Sequence, residues 1–126
     1  MLRACHRSLR PGGRLAFYTI FIAAGLSDAD YRRAARAGPH AVRARRADHQ
    51  DLLLAAGFTD IVETDLTDEF LRTARAWYRG REQHFTQLAA AEGEASVKQK
   101  QADSRAQIKA IEAGLLRRAL FLARRP

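Results

Sequence analysis

The residues best suited to chemistry stand close together near position 80. His84 follows Trp77 and Tyr78 at near-helical spacing, with Phe85 directly after it. An imidazole can act as a general base near neutral pH, and aromatic rings can line a pocket for an organic substrate. We therefore name Trp77, Tyr78 and His84 as substrate-binding candidates. The alternative is a core stripe of aromatic rings with His84 partly buried beside it.

A second pair of candidates lies in the apolar segment Arg14–Ile22, which is rich in aromatic and β-branched residues and predicts a β-strand. Thr19 and Phe21 stand toward the C-terminal end of this strand. Open α/β sheets bind their ligands at that end, so both residues are also substrate-binding candidates. Simple burial in the core is the alternative explanation.

The remaining reactive groups do not form a recognisable catalytic or metal-binding set. The four histidines and Cys5 lack the spacing of structural or catalytic metal ligands, so we predict no metal site. Cys5 lies on an apolar helix face and is interpreted as a small hydrophobic residue, and no catalytic residue is identified. Asp65 and Asp68 are explained as charges at a helix start. The arginine cluster at 43–46 either contacts an anionic substrate or forms a solvated loop.

The charge of the chain is high but evenly distributed. The 126 residues include 22 Lys and Arg against 14 Asp and Glu, a net charge of +8. Only three of the basic residues are Lys, and 25 residues are Ala, which indicates a bias of coding composition. Each half of the chain carries +4, whereas a nucleic-acid-binding tail would be lopsided, so a nucleic-acid partner is not expected.

Composition also predicts the compartment. A single cysteine excludes a disulfide framework and favours a reducing interior. The longest apolar run, Leu15–Leu26, has 12 residues and is too short to span a bilayer. The N-terminal residues do not follow the layout of a signal peptide. We expect a cytoplasmic protein without a membrane partner.

The first part of the chain predicts a helix, a turn and a strand. Residues 2–9 carry apolar side chains three and four positions apart, and this helix ends at the Pro-Gly-Gly sequence at 11–13. Both faces of the strand Arg14–Ile22 are apolar, so we expect helices to cover it on both sides. Asp28 is placed to cap a short helix that follows.

The rest of the chain predicts long helices between two further strands. A helix occupies residues 48–57, and residues 58–66 alternate as a second strand. Helical spacing then runs over residues 67–113 with a break at 92–94, and the helix after the break has so few apolar residues that we expect it on the surface. Residues 115–123 alternate as a third strand. This order predicts an α/β layered sheet.

Two of these segments resemble motifs of one family. Leu9–Phe17, with the sequence Leu-Arg-Pro-Gly-Gly-Arg-Leu-Ala-Phe, resembles the L-K-P-G-G-x-L turn into the fifth strand of class I S-adenosylmethionine-dependent methyltransferases. Leu52–Phe58 and the following Thr-Asp-Ile-Val-Glu are similar to the family's L-x-x-A-G-F-x-x-V step into the sixth strand. Residues 115–123 then resemble the seventh strand, which is antiparallel.

This resemblance implies an α/β fold class: the C-terminal part of a Rossmann-like methyltransferase sheet, with three strands, the last two an antiparallel pair, and inserted helices. Residues 1–66 and 115–126 would form the sheet and its flanking helices. Residues 67–114 would form a helical insertion that caps the substrate side. Residues 1–126 would then be a single incomplete domain.

The function implied is transfer of a methyl group from S-adenosylmethionine to a small-molecule acceptor, which depends on positioning rather than on a fixed catalytic residue. The family binds this cofactor with a glycine-rich turn after the first strand and an acidic residue after the second. No Gly-x-Gly occurs in this sequence, so we name no cofactor-binding residue. We expect this chain alone to be inactive and not to bind S-adenosylmethionine.

The resemblance also implies that the chain is a fragment, the C-terminal half of the family fold, since Met1 would already lie in the helix before the fifth strand. The strand Arg14–Ile22 would lose a neighbour and become an exposed edge, which promotes self-association. A different class of function stays open as the alternative: a small basic helical module that binds nucleic acid or an acidic protein partner.

Overall fold

The computed structural model describes residues 1–39 and 48–126. Helices and strands alternate along the chain, and one long helical stretch separates the last two strands. In chain order the elements are α1 Leu2–Ser8, β1 Arg14–Ile22, α2 Asp28–Ala37, α3 His49–Ala55, β2 Thr59–Asp65, α4 Thr67–Gln83, α5 Phe85–Glu92, α6 Glu94–Glu112 and β3 Leu116–Arg124.

The three strands form one antiparallel sheet in the order β1-β3-β2, so the strand that is last in sequence lies in the middle. Arg14 pairs with Arg124 and Ile22 with Leu116 along the full length of β1. On the other side Val62 pairs with Leu122, after a register shift that follows Thr59. The predicted α/β class and the antiparallel pairing of the last two strands are confirmed.

One face of the sheet is covered by α1 and α3. Its core consists of Leu53 from α3, Phe58 at the start of β2, and side chains of β3. Partly buried side chains of α1 and β1, among them Leu2 and Phe17, pack against this core. The buried β3 residues on this face are Ala119, Phe121 and Ala123.

The opposite face is covered at one end only. There α2, α4 and α6 bury Ala34, Phe70 and Ile111 against Leu116, and the partly buried Ile20 packs against them. Tyr18 on β1 lies beyond these helices and remains 59% exposed. The expectation that helices cover β1 on both sides is therefore wrong for this part of the strand. We call the uncovered surface the exposed sheet strip; it comprises Tyr18, Val62 (54% exposed) and Leu122 (41% exposed).

The Pro-Gly-Gly turn fastens the first helix to the last strand. The Gly12 N–H donates to the Arg125 carbonyl at 2.7 Å, and the Arg125 N–H donates to the Gly13 carbonyl at 2.8 Å. A Cβ atom at Gly13 would lie 2.8 Å from the Arg10 carbonyl oxygen, so only glycine fits there. The Arg125 guanidinium also donates to carbonyls at the C-terminal end of α1, including that of His6 at 2.9 Å. These are the carbonyls that the helix itself leaves unbonded.

Helix α6 packs one face against the rest of the protein. It packs against α4, α5, α2 and β3, and it buries Val97, Gln101 and Ala110. The expectation of a surface helix holds for the outer side of α6, which is exposed, while Val97, Gln101, Ala110 and Ile111 form a packed inner face. Gln101 is accommodated since its Nε2 donates to the Tyr78 carbonyl oxygen at 3.1 Å.

The helix starts also differ slightly from expectation. The side chain of Ser27, rather than that of Asp28, caps α2 by accepting the Asp30 N–H at 3.1 Å. Each residue is a good capping type, so spacing alone did not distinguish them.

Replacing Phe121 by Ala tests the register of the central strand. The Phe121 ring is 1% exposed and stacks on Phe17 with centroids 5.3 Å apart, so its loss should lower the free energy of unfolding by about 3–5 kcal/mol in urea titrations. Leu122→Ala is the matched control and should cost well under about 1 kcal/mol, because its side chain faces the exposed sheet strip. Equal losses would contradict the register, since a one-residue slip exchanges the two faces.

Candidate functional site

One concave surface lies among α4, α5 and α6. It is a cavity of about 840 Å³ bounded by one face of α4 and by parts of α5 and α6. We call it the helical groove. Two of the predicted residues, Trp77 and His84, line it together. The full lining is Thr73, Ala76, Trp77, Gly80, Arg81, His84, Gln87, Leu88, Glu92, Val97 and Lys100.

Helical periodicity explains why these residues meet. Six lining residues of the groove, from Thr73 to His84, recur at three- and four-residue spacing and therefore share one face of α4. The chain ends α4 at Gln83 and begins α5 at Phe85, so His84 stands at the junction of the two helices. Its Nδ1 lies 2.9 Å from Gln87 Oε1, which fixes the orientation of the ring.

Trp77 presents an apolar surface to the groove. Its side chain is 65% exposed, although indole rings usually find burial in a folded protein. The guanidinium of Arg81 lies 5.8 Å from the centre of the Trp77 ring, within the range of a cation–π contact. Arg81 Nη1 also donates to Ser104 Oγ at 2.8 Å, which holds the guanidinium in place.

Gly80 keeps the floor of the groove open beside Trp77. It stands inside α4, where glycine costs about 1 kcal/mol of helix stability relative to alanine. A Cβ built at Gly80 would meet nothing within 4 Å, so close packing of helices does not require a glycine there. The effect of having glycine at this position is the open space in the groove beside Trp77.

Tyr78 lies apart from the other two candidates on α4. It is absent from the groove lining, and its hydroxyl accepts from Arg105 Nη1 at 3.2 Å. The Arg105 guanidinium also lies 6.0 Å from the centre of the Tyr78 ring. Adjacent residues on a helix point about 100° apart, so Tyr78 and Trp77 face different neighbours.

Thr19 and Phe21 lie on the sheet and not in the groove. The Phe21 ring packs on His49 with centroids 5.7 Å apart, and it belongs to the margin of the core under α1 and α3. Thr19 is partly buried, and its Oγ1 donates to the Ile20 carbonyl oxygen at 3.4 Å. Packing explains both residues without a ligand, and their role in substrate binding stays a prediction.

Gly80, Arg81 and Lys100 line the groove and were not among the predicted residues. The signal that could have found the first two is their position three and four residues after Trp77. Lys100 reaches the groove only because α6 folds back on α4, and nothing in local sequence indicates this. Its Nζ pairs with Glu92 Oε2 at 2.7 Å.

Three other features bear on function: metal sites, membrane spans and the arginine cluster. Within residues 1–39 and 48–126 there is no group of three or more His, Cys, Asp or Glu side chains that could hold a metal ion. No helix in the same ranges is long and apolar enough to cross a membrane. The arginine cluster at 43–46 lies outside the described residues.

Asp65 anchors the start of α4, and hence the groove, to the sheet. Its Oδ1 accepts from the Thr67 hydroxyl at 2.6 Å and from the Thr67 N–H at 3.0 Å. The Thr67 Oγ1 in turn accepts the Arg118 N–H of β3 at 3.2 Å, and the Arg117 guanidinium pairs with Asp65 Oδ2. The Thr67 hydroxyl is the main cause that lowers the pKa of Asp65 below its ordinary 3.8; burial opposes it, and the Thr67 N–H and Arg117 lower the pKa further.

Comparison with solved structures identifies the fold. A phosphoethanolamine N-methyltransferase 2 from Haemonchus contortus, in complex with phosphomonomethylethanolamine and S-adenosylhomocysteine, superposes with a TM-score of 0.82 over 99% of this chain, at 15% identity. A cyclopropane synthase from Mycobacterium tuberculosis superposes with a TM-score of 0.79 over 98%, at 16% identity. A mycolic acid cyclopropane synthase gives 0.78 over 98%, at 17% identity. The fold is that of the C-terminal part of class I methyltransferases.

The similarity is one of fold, and this chain covers only part of the length of each solved protein. The chain covers 29% of the Haemonchus contortus protein, 48% of the Mycobacterium tuberculosis synthase and 50% of the mycolic acid synthase. No known protein family matches the sequence. No curated protein matches it either.

Asp65→Asn should change how stability depends on pH. Because the pKa of Asp65 is depressed in the folded state, its carboxylate stabilises the fold above the unfolded pKa of about 3.9, and this contribution is lost as pH falls through the lower folded value. The difference in free energy of unfolding between wild type and Asp65→Asn should therefore be constant near neutrality and shrink below about pH 4. Urea titrations across pH 2.5–7 measure it.

Thr67 supplies the matched pair of controls. Thr67→Ser keeps the hydroxyl donor and should preserve the acid-dependent difference, whereas Thr67→Val removes the donor and should reduce it. A difference between wild type and Asp65→Asn that stays constant down to pH 2.5 would contradict the assigned role of the Thr67 hydroxyl.

Proposed function

We propose that this chain forms the acceptor-side part of an S-adenosylmethionine-dependent methyltransferase that acts on a small-molecule acceptor. One observation carries the proposal: the whole chain, with its central antiparallel β3, superposes on proteins solved with S-adenosylhomocysteine or S-adenosylmethionine. The Leu9–Phe17 and Leu52–Phe58 motifs supply independent support from sequence. The rival proposal of a small basic helical module accounts for neither the sheet nor these motifs.

The glycine turn of this chain does not fit the cofactor. The only adjacent glycines, Gly12 and Gly13, bond to Arg125, and the space beside Gly13 is taken by the Arg10 carbonyl. Their backbone groups are therefore engaged within the protein instead of facing a ligand. We propose that other polypeptide, packed on this chain, holds S-adenosylmethionine, and that this chain supplies no cofactor contact of its own.

The exposed sheet strip and the outer edge of β1 are the proposed contact for that polypeptide. Tyr18, Val62 and Leu122 form an apolar surface on an otherwise covered sheet, and such surfaces are typical of protein contacts. Within residues 1–39 and 48–126, strand β1 has β3 on one side only, so its other edge offers backbone groups for a further strand.

The contribution of this chain to methyl transfer is positioning. Methyl transfer is accelerated chiefly by alignment of the acceptor with the methyl group and by exclusion of water. We propose that Trp77 and His84 contact the acceptor in the helical groove, with the His84 ring held by Gln87 so that it can accept a proton. Tyr78, Thr19 and Phe21 are weaker candidates for contact with the acceptor, since packing already explains their positions.

Isothermal calorimetry with S-adenosylhomocysteine tests the cofactor part of the proposal. We expect no binding to the purified 126-residue chain at about 100 μM ligand, a concentration that would reveal micromolar affinity. A saturable heat with a micromolar dissociation constant would overturn the assignment of the cofactor site to other polypeptide.

The exposed surface predicts self-association of the purified chain. Sedimentation velocity should show species larger than a monomer whose proportion rises with protein concentration. Tyr18→Lys places a charge on the exposed sheet strip and beside the open edge, so it should shift the chain toward monomer.

Trp77→Lys is the matched control, because Trp77 is equally exposed but lies in the helical groove; it should leave self-association unchanged. A wild-type chain that stays monomeric at about 100 μM, far above the micromolar range of specific weak contacts, would contradict the prediction.

A further inference from the structure

The charges of the helical groove are matched with one exception. Lys100 pairs with Glu92 at 2.7 Å, and His84 bonds to the neutral Gln87. The Arg81 guanidinium donates to the Ser104 hydroxyl and lies over the face of Trp77; within residues 1–39 and 48–126 no carboxylate lies in ion-pair distance of it. Among the residues that the structure describes, the groove therefore contains one cation without a carboxylate partner, Arg81.

The floor beneath this cation is apolar and long. Ala76, Trp77, Leu88 and Val97 line it, and Gly80 leaves its middle open. The lining face of α4 runs from residue 73 to residue 84, about 16 Å at 1.5 Å per residue. A cavity of about 840 Å³ is within the range that encloses an organic ligand.

We propose that the helical groove binds an elongated apolar anion, a chain of hydrocarbon that ends in one carboxylate. The hydrocarbon lies along Trp77 and Leu88, in the space that Gly80 leaves. The carboxylate accepts hydrogen bonds from the guanidinium of Arg81, the donor best matched to it in geometry. The inference rests on the proposed function only in taking this groove as the acceptor site; it names the class of molecule that the site accepts.

Charge and shape together select this ligand over others. A cationic head group would meet Arg81 without a compensating carboxylate, since Glu92 is paired with Lys100. A small polar anion would contact Arg81 but leave the exposed face of Trp77 in water. Only a molecule with both parts uses the cation and the floor at once.

Trp77 is the single tryptophan of the chain, so its fluorescence reports directly on the groove. Dodecanoate, kept below its micelle-forming concentration, is the probe, and dodecyltrimethylammonium and acetate are the controls for charge and for chain length. We expect a saturable change with dodecanoate, at least tenfold weaker binding of the ammonium compound, and no response to acetate. Arg81→Met should remove the preference for dodecanoate over the ammonium compound.

Two leucine substitutions separate the groove from nonspecific apolar binding. Gly80→Leu fills the floor and should weaken dodecanoate binding at least tenfold. Ala106→Leu adds the same side chain at an exposed position of α6 outside the groove and should leave binding unchanged. Circular dichroism of each variant checks its helix content. Gly80→Ala strengthens the helix and fills the floor only in part, so it should weaken dodecanoate binding by less than Gly80→Leu does.

Three results would each overturn the proposal: no saturable fluorescence change, equal affinity for dodecanoate and the ammonium compound, or equal effects of the two leucine variants. The assay contains no methyl donor and measures no turnover. Absence of binding would therefore leave methyl transfer to a different acceptor intact, and absence of methyl transfer would leave the binding result intact.

Discussion

The whole structure depends on the insertion of β3 between β1 and β2. In the described chain neither outer strand bonds to the other, so the sheet exists only when residues 116–124 occupy its middle. The same strand supplies Leu116 to one core and Phe121 to the other, and the residue that follows it closes the end of α1.

The two faces of the sheet are covered to different extents as a result of this arrangement. The face under α1 and α3 is packed along β3 from Ala119 to Ala123, whereas the helices between β2 and β3 cover only one end of the other face. These same helices build the helical groove. The bonds from Asp65 through Thr67 to the backbone of β3 join the two, so the candidate acceptor site is fixed to the strand that holds the sheet together.

The sequence predicts those parts of the fold that have a local cause. The Pro-Gly-Gly turn, the alternation of β3 and the helix-to-strand step at Gly57 each follow from backbone preferences of the residues concerned. The burial of Gln101 in α6 could not be predicted, because a glutamine is interpreted as a surface residue until its partner, the Tyr78 carbonyl, is known. Likewise the apolar pattern of β1 indicates what each face could bury but not whether a helix reaches it, so the exposure of Tyr18 could not be predicted. Helical spacing places Trp77, Arg81 and His84 on one side of the groove, whereas the presence of Lys100 there depends on how α6 returns along α4.

The central claim is that this fold works as the acceptor side of an assembly that binds a methyl donor. The most direct measurement is to place an affinity tag at the C-terminal end of the chain at its endogenous locus, purify the native tagged species and titrate it with S-adenosylhomocysteine. The account predicts micromolar binding by that native assembly. A native tagged species that binds no S-adenosylhomocysteine in any assembly state would contradict it.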